Sequence, residues 1–280
     1  MVLSAGAQGD SAGELFRLTP DRGGPHDLSR EAPTRIPFRG GSRTLGSLAV
    51  EPTTGALFMG EENGTRIWRL ASGERLELYA SGLRRLAGGS TLAFDHERRL
   101  VVLDYADPLV SPPTERLPPG LEHFREDDYR GPLVLRLTLD PELVLPRRLE
   151  NVPPLFPRAW GGRAGGRLLP HFISVVSLPR GDLLLLTSTG ELQRLSGDGA
   201  LAPFARLPRG QYHRTNMAAA TDGSVYVSGG FHVGQVFRVA GDGRVTVVAS
   251  NLADPAGIAV DGHGAVYIAE SSLHRILRVR

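Results

Sequence analysis

Short apolar runs with a period of two recur along the chain, separated by turns rich in Asp and Gly. Near the C terminus, DPAGIAVDGHGAVYIAESSLHRILRVR reads as a strand at 256–260, a DGHG turn, a strand at 265–269, an ESSLH turn and a strand at 275–279. Val, Ile and Tyr bounded by Asp/Gly punctuation form a strand signature. The same order stands upstream at 215–248, TNMAAATDGSVYVSGGFHVGQVFRVAGDGRVTVV, with a fourth strand added. MVLSAGAQGDSAGELFRL at 1–18 aligns with VYVSGGFHVGQVFRV at 225–239, so the chain begins on the second strand of such a unit.

A four-stranded unit repeating about every 40 residues predicts an all-β, six-bladed β-propeller with antiparallel blades. The units fall at 1–38, 46–80, 91–149, 172–206, 217–250 and 256–280, within a single domain. In the third unit the strands are expected at 91–95, 100–103, 132–139 and 143–149. Two long insertions interrupt the pattern at 104–130 and 151–170, the first Pro-rich and acidic, the second dominated by Pro and Gly. Loops of that length in a compact domain are usually functional or mobile. A seventh blade is not supported, because 100–183 carries only two good strand patterns in the intervening segment. The first unit lacks its inner strand and the last its outer one. Rings of this kind close by letting the N-terminal strand complete the last blade. The expectation is an upstream segment of roughly 20 residues or more, by the repeat length, which would also carry any export signal. The compartment stays open between exported and cytoplasmic.

Composition narrows the chemistry. The chain has 280 residues, enough to bury a large core, and 41% of them are hydrophobic. It has no cysteine, which excludes disulfides, thiolate zinc sites and a cysteine nucleophile. All 32 basic residues are arginine, so Schiff-base chemistry at a lysine is excluded. The net charge of +2 and the scattering of Arg among acids give no nucleic-acid stripe. No apolar run is long enough to span a membrane. No phosphate-binding loop or dinucleotide fingerprint occurs. GDSAG at 9–13 matches a nucleophile-elbow string, but a strand rather than a helix follows Ser11, so the context is wrong.

PAGIAVDGHGAVYIAES, NMAAATDGSVYVSGG and GSTLAFDHERRLVVLDY share an inner strand, a turn and a second strand. This pattern resembles the NHL-repeat and senescence-marker-protein/gluconolactonase group of six-bladed propellers, with strictosidine-synthase-like propellers as near relatives. The resemblance covers most of the chain, but it lies in strand and turn residues, which specify fold rather than activity. It implies a divalent cation, calcium, at the channel mouth of the lactonases of that group. The ligands there are carboxylates and an Asn just before inner strands, plus a Glu near the N terminus. Asn216 stands at the Asn position. Ala256 stands where the group carries an Asp, and Ser47, Ser90 and Ser174 occupy the places in other blades. Asn plus hydroxyls is a poor set for a hard cation, which wants several charged oxygens.

Propeller geometry puts the loops before inner strands and those between second and third strands on one face. Both insertions and the chemistry-bearing side chains fall there. His213 and His171 are candidates for proton transfer, with Asp104 beside them. Asn216, Glu61 and Glu270 are the candidate metal ligands. Arg214, His232, His123 and Trp160 are candidate ligand-binding residues, Arg214 as a carboxylate clamp. The stretch QYHRTN at 211–216 is the favoured binding segment, and HFREDDYR at 123–130 is the densest cluster of titratable groups. The DG-type turns at Asp222, Asp261 and His263 belong to the opposite face and are expected to be structural. Two readings stay open: a propeller that grips a small molecule or peptide, or a metal-assisted hydrolase of lactones or esters on the same face.

Overall fold

The computed structural model describes residues 2–5, 14–17, 34–36, 45–61, 64–71, 76–83, 91–105, 132–140, 142–149, 152, 155, 163–164, 167–168 and 172–279. The first sheet holds β1 (Val2–Ala5), β2 (Glu14–Arg17) and β3 (Thr34–Ile36) in that order. β4 (Leu45–Val50), β5 (Leu57–Glu61), β6 (Arg66–Leu70) and β7 (Leu76–Ser81) form the second. β8 (Leu92–Phe94), β9 (Leu100–Tyr105) and β10 (Pro132–Leu137) form the third. Next come β11 (Arg147–Arg148) and a small hairpin, β12 (Arg163–Ala164) with β13 (Arg167–Leu168). A four-stranded sheet follows: β14 (Phe172–Ser177), β15 (Leu183–Thr187), β16 (Glu191–Leu195) and β17 (Leu201–Arg206). Another holds β18 (Met217–Ala219), β19 (Val225–Ser228), β20 (Gln235–Val239) and β21 (Val245–Ser250). The last holds β22 (Pro255–Val260), β23 (Val266–Glu270) and β24 (Arg275–Val279). The protein is an all-β propeller.

Strand alternation explains how the sheets stack. Leu100 and Val102 of β9 face the second sheet, in a cluster with Phe58, Ile67 and Tyr79. Val101 and Leu103, one residue out of phase, face the fourth, with Phe172, Val175 and Leu185. β15 does the same: Leu183 and Leu185 pack one way, Leu184 and Leu186 the other, against Met217 and Phe237. A strand buried on both faces reads as a continuous apolar run, which is why LLLL at 183–186 is not alternating. Inner strands β4, β8, β14, β18 and β22 contact one another in succession.

The third sheet departs from expectation. The apolar pattern predicts a strand over 143–149 as its outer edge. Only Arg147–Arg148 is extended, and it pairs in parallel with β7, Arg147 opposite Ala80 and Arg148 opposite Ser81. The sequence reason is Pro146, which removes a ladder donor in the middle of the expected strand. Val144 is accordingly 88% exposed rather than buried in a sheet. The second insertion, expected as loop, carries the β12–β13 hairpin. Among the described residues no helix is long and apolar enough to cross a membrane.

The turns on the face opposite the candidate site are built by Asp. Asp222 Oδ1 accepts the Ser224 N–H at 2.9 Å and Asp261 Oδ1 accepts those of His263 and Ala265, both at 2.9 Å. Asp residues hydrogen-bonding their backbone two residues on are self-capping turns. These contacts hold carboxyls low. The hydroxyl and N–H of Ser224, with Arg238, bring Asp222 to about 2. The Thr54 hydroxyl, with help from its N–H and Arg98, brings Glu51 to about 2 against the opposing effect of burial. Asp198 is lowered by the Ser196 hydroxyl and the Ala200 N–H. A depressed folded-state pKa gives stability that is complete above the unfolded value and is lost as pH falls through the folded one. Thermal melts should therefore show a flat midpoint down to about pH 5 and a steep fall between about pH 4.5 and 2. The Asp222→Asn variant should show a shallower fall. An unchanged midpoint at pH 2.5 would contradict this assignment of the turns.

Candidate functional site

The entries to the inner strands are cross-linked between neighbouring sheets. Ser47 Oγ accepts the N–H groups of Thr91 and Leu92, each at 3.0 Å. Ser228 Oγ accepts the Asn216 N–H at 2.9 Å and donates to the Ala256 carbonyl at 2.8 Å. The Asn216 side-chain amide donates to the same carbonyl at 2.6 Å. Asn216 thus ties β18 to β22.

The ends of the second strands carry buried polar groups: Glu61 at 1%, Asp104 at 2% and Glu270 at 1% exposure. Glu61 accepts the Trp68 indole N–H at 2.8 Å and steadies the β5–β6 connection. Glu270 accepts the Ala253 N–H on one oxygen at 2.7 Å and the Arg275 guanidinium on the other. Burial alone would raise its pKa, but Arg275 and the Ala253 N–H outweigh it and lower the carboxyl. Glu270 thus braces the loop before β22 against Arg275 at the start of β24. Asp104 closes β9, opposite Leu133.

A calcium set of the kind implied by the resemblance does not fit these residues. The Asn216 amide faces the Ala256 carbonyl, Ala256 brings no carboxylate, and both oxygens of Glu270 are engaged. Among the described residues no group of three or more His, Asp or Glu side chains is placed to hold a metal.

The binding segment at 211–216 does converge with a second loop. Tyr212 is fully buried and anchors it. Its hydroxyl donates to the Pro208 carbonyl at 2.7 Å, its N–H to the Ser188 carbonyl at 3.0 Å, and its ring meets Phe237 edge-on at 6.4 Å. Burial pushes the phenol up to about 12, so it stays a neutral donor. With Tyr212 locked inward, the exposed His213 and Arg214 are carried to the surface, Arg214 with φ of 52°. Opposite lies GGFHVG, between β19 and β20. The Gly230 N–H donates to the Pro255 carbonyl at 2.9 Å and the Phe231 N–H to the His213 carbonyl at 3.2 Å. The result is a patch of four side chains. His213 and His232 stand edge-to-face at 5.6 Å, and the Arg214 guanidinium lies 4.9 Å over the Phe231 ring. Phe231 also lies 6.4 Å from His232 and is 44% exposed.

Three sequence candidates, His213, Arg214 and His232, are thus brought together. Phe231 was missed. Its signal was present, an aromatic beside a histidine in a loop bounded by glycines, but a lone Phe reads as core. His123, Trp160, His171 and Ser11 lie outside the described residues.

No family model and no curated protein matches the chain. Solved structures resemble it in fold. A chain of a nidogen/laminin complex is 14% identical, with 99% of this chain and 88% of that one covered, at a TM-score of 0.62. A putative gluconolactonase is 15% identical, covering 88% and 77%, at 0.56. A catalytically inactive virginiamycin B lyase from Staphylococcus aureus, solved with quinupristin, is 12% identical, covering 95% and 72%, at 0.56. At these identities the likeness shows a shared propeller fold.

Proposed function

We propose that this is a six-bladed propeller that binds a small anionic molecule or an acidic peptide on the face where 211–216 meets 229–234. The observation that carries this reading is the four-residue patch: His213 and His232 at 5.6 Å, and the Arg214 guanidinium 4.9 Å over a half-exposed Phe231. The Arg214 guanidinium brings positive charge to this patch, which favours a carboxylate or phosphate, and the imidazoles add further hydrogen-bonding nitrogens. Phe231 offers an apolar surface for a flat or aliphatic portion of the ligand. The six-blade count draws on six sheets of three or more strands stacked in chain order.

A metal-assisted hydrolase of lactones or esters is the second reading. It draws support from gluconolactonase neighbours of the same fold. A hydrolase on this face would use His213 or His232 to move protons, since Glu270 is engaged by Arg275 and the Ala253 N–H.

Both readings are tested by calorimetric titration with small carboxylates, phosphates and acidic peptides, beside a lactone and ester hydrolysis screen with and without chelator. Binding should weaken at least tenfold in Arg214→Ala, in keeping with about 1.5–3 kcal/mol for a hydrogen bond to a charged group, while the melting temperature stays unchanged. Parent affinity in both Arg214→Ala and His213→Ala would remove the binding reading. Turnover lost in His213→Ala would replace it with the hydrolase.

A further inference from the structure

A cleft lies between the two neighbouring four-stranded sheets, on the residues that precede the 211–216 segment. Its volume is about 480 Å³, and it is lined by Arg206, Leu207, Pro208, Arg209, Phe237, Val245 and Val247. Its origin is a gap in the strand alternation. Phe237 pairs with Val247 and Val239 with Val245, so both valines of β21 point toward the preceding sheet. Val245 is half-buried there, against a cluster that includes Phe204, Ala205 and Leu207. Val247, on the same face, is 50% exposed. The preceding sheet ends at Arg206, and the chain turns away through Pro208, leaving apolar surface uncovered.

The polar groups of the floor are already engaged. The Leu207 N–H donates to the Gly190 carbonyl at 2.9 Å, and the Pro208 carbonyl accepts the Tyr212 hydroxyl at 2.7 Å. A sugar, which needs partners for many hydroxyls, would find few. The rim is different. Arg206 is 64% exposed and only loosely paired, 3.9 Å from Glu191. Arg209 is exposed and makes no ion pair with a described residue. Arg206 and Arg209, at i and i+3, thus flank a cleft whose accessible apolar side chains are Val247, Pro208 and the half-buried Val245.

We propose that this cleft binds an aliphatic carboxylate, a fatty-acid-like ligand with its chain on Val247, Val245 and Pro208 and its head between Arg206 and Arg209. Apolar burial supplies the affinity, and the guanidinium forks supply the preference for a carboxylate. The cleft falls within the range of roughly 300–1,000 Å³ usual for small-molecule sites.

The probe is decanoate at monomeric concentration, titrated into the full chain by calorimetry, with decanol as the uncharged control. Saturable decanoate binding is expected, at least tenfold tighter than decanol, and at least tenfold weaker in Arg206→Gln/Arg209→Gln and in Val247→Asp. All three positions are surface positions, and an unchanged melting temperature confirms that the variants fold. Because decanoate is also a carboxylate with an aliphatic portion, the titrations are repeated in the His213→Ala background, where the losses in Arg206→Gln/Arg209→Gln and in Val247→Asp should persist, which separates this cleft from the patch proposed above. Absence of saturable binding, equal affinity for decanol, or a loss in His213→Ala with none in the arginine pair would overturn the proposal.

Discussion

Gly230→Ala is expected to lower the unfolding midpoint by about 5–10 °C and to weaken ligand binding at the His213 patch at least tenfold. Gly230 has φ of +69°, and a β-carbon there would lie 1.9 Å from the His213 carbonyl oxygen and 2.8 Å from Thr215 Oγ1. The first obstacle is backbone, so it cannot swing aside as a flexible side chain would. That same carbonyl accepts the Phe231 N–H, so relief of the clash pries apart the two loops that form the patch. The energy has two parts: about 1 kcal/mol for a non-glycine residue in the left-handed region, and a larger share for the steric displacement. Gly55→Ala separates them. Gly55 has φ of +72° with nothing within 4 Å of the added carbon, so only the conformational part applies. Thermal melts of the two variants, with a titration of each, make the comparison. Equal shifts for Gly55→Ala and Gly230→Ala would mean that the loops are not packed as described.

How much of this was legible in the sequence depended on whether the signal was local. Strands β22, β23 and β24 stand within a residue of their expected places, because apolar alternation and Asp/Gly turns are short-range properties. The expected strand at 143–149 failed because the choice of edge is not local. Leu143, Val144 and Leu149 look like strand residues, but Pro146 breaks the ladder, and β7 of the preceding sheet offered the edge that Arg147–Arg148 took. The site divides in the same way. QYHRTN announced itself as a polar run before an inner strand, and it does carry the patch. Glu270 looked like an open carboxylate at a strand end. Only its distance to Ala253, a residue 17 positions earlier, shows it to be a brace. Phe231 was invisible because exposure is set by how the two glycines before it route the chain.

Phe237→Ala is expected to destabilise the protein by about 3–5 kcal/mol, among the largest costs of any single truncation. Phe237 is fully buried, cross-strand from Val227 on one side and Val247 on the other. Its ring backs onto Tyr212, so removing it leaves a cavity beneath the residue that anchors 211–216. A further effect follows from that position. Tyr212 loses its edge-on partner and His213 and Arg214 lose their fixed support, so affinity at the patch should fall although neither residue is changed. Phe237→Leu, which keeps most of the volume, should cost under about 1.5 kcal/mol and leave the patch largely intact. Leu273→Ala, at 51% exposure, should change stability by no more than about 0.5 kcal/mol and serves as the surface control. Urea melts of the three variants supply the measurement. A cost below about 1 kcal/mol for Phe237→Ala would show that the interface between the two four-stranded sheets does not depend on this ring.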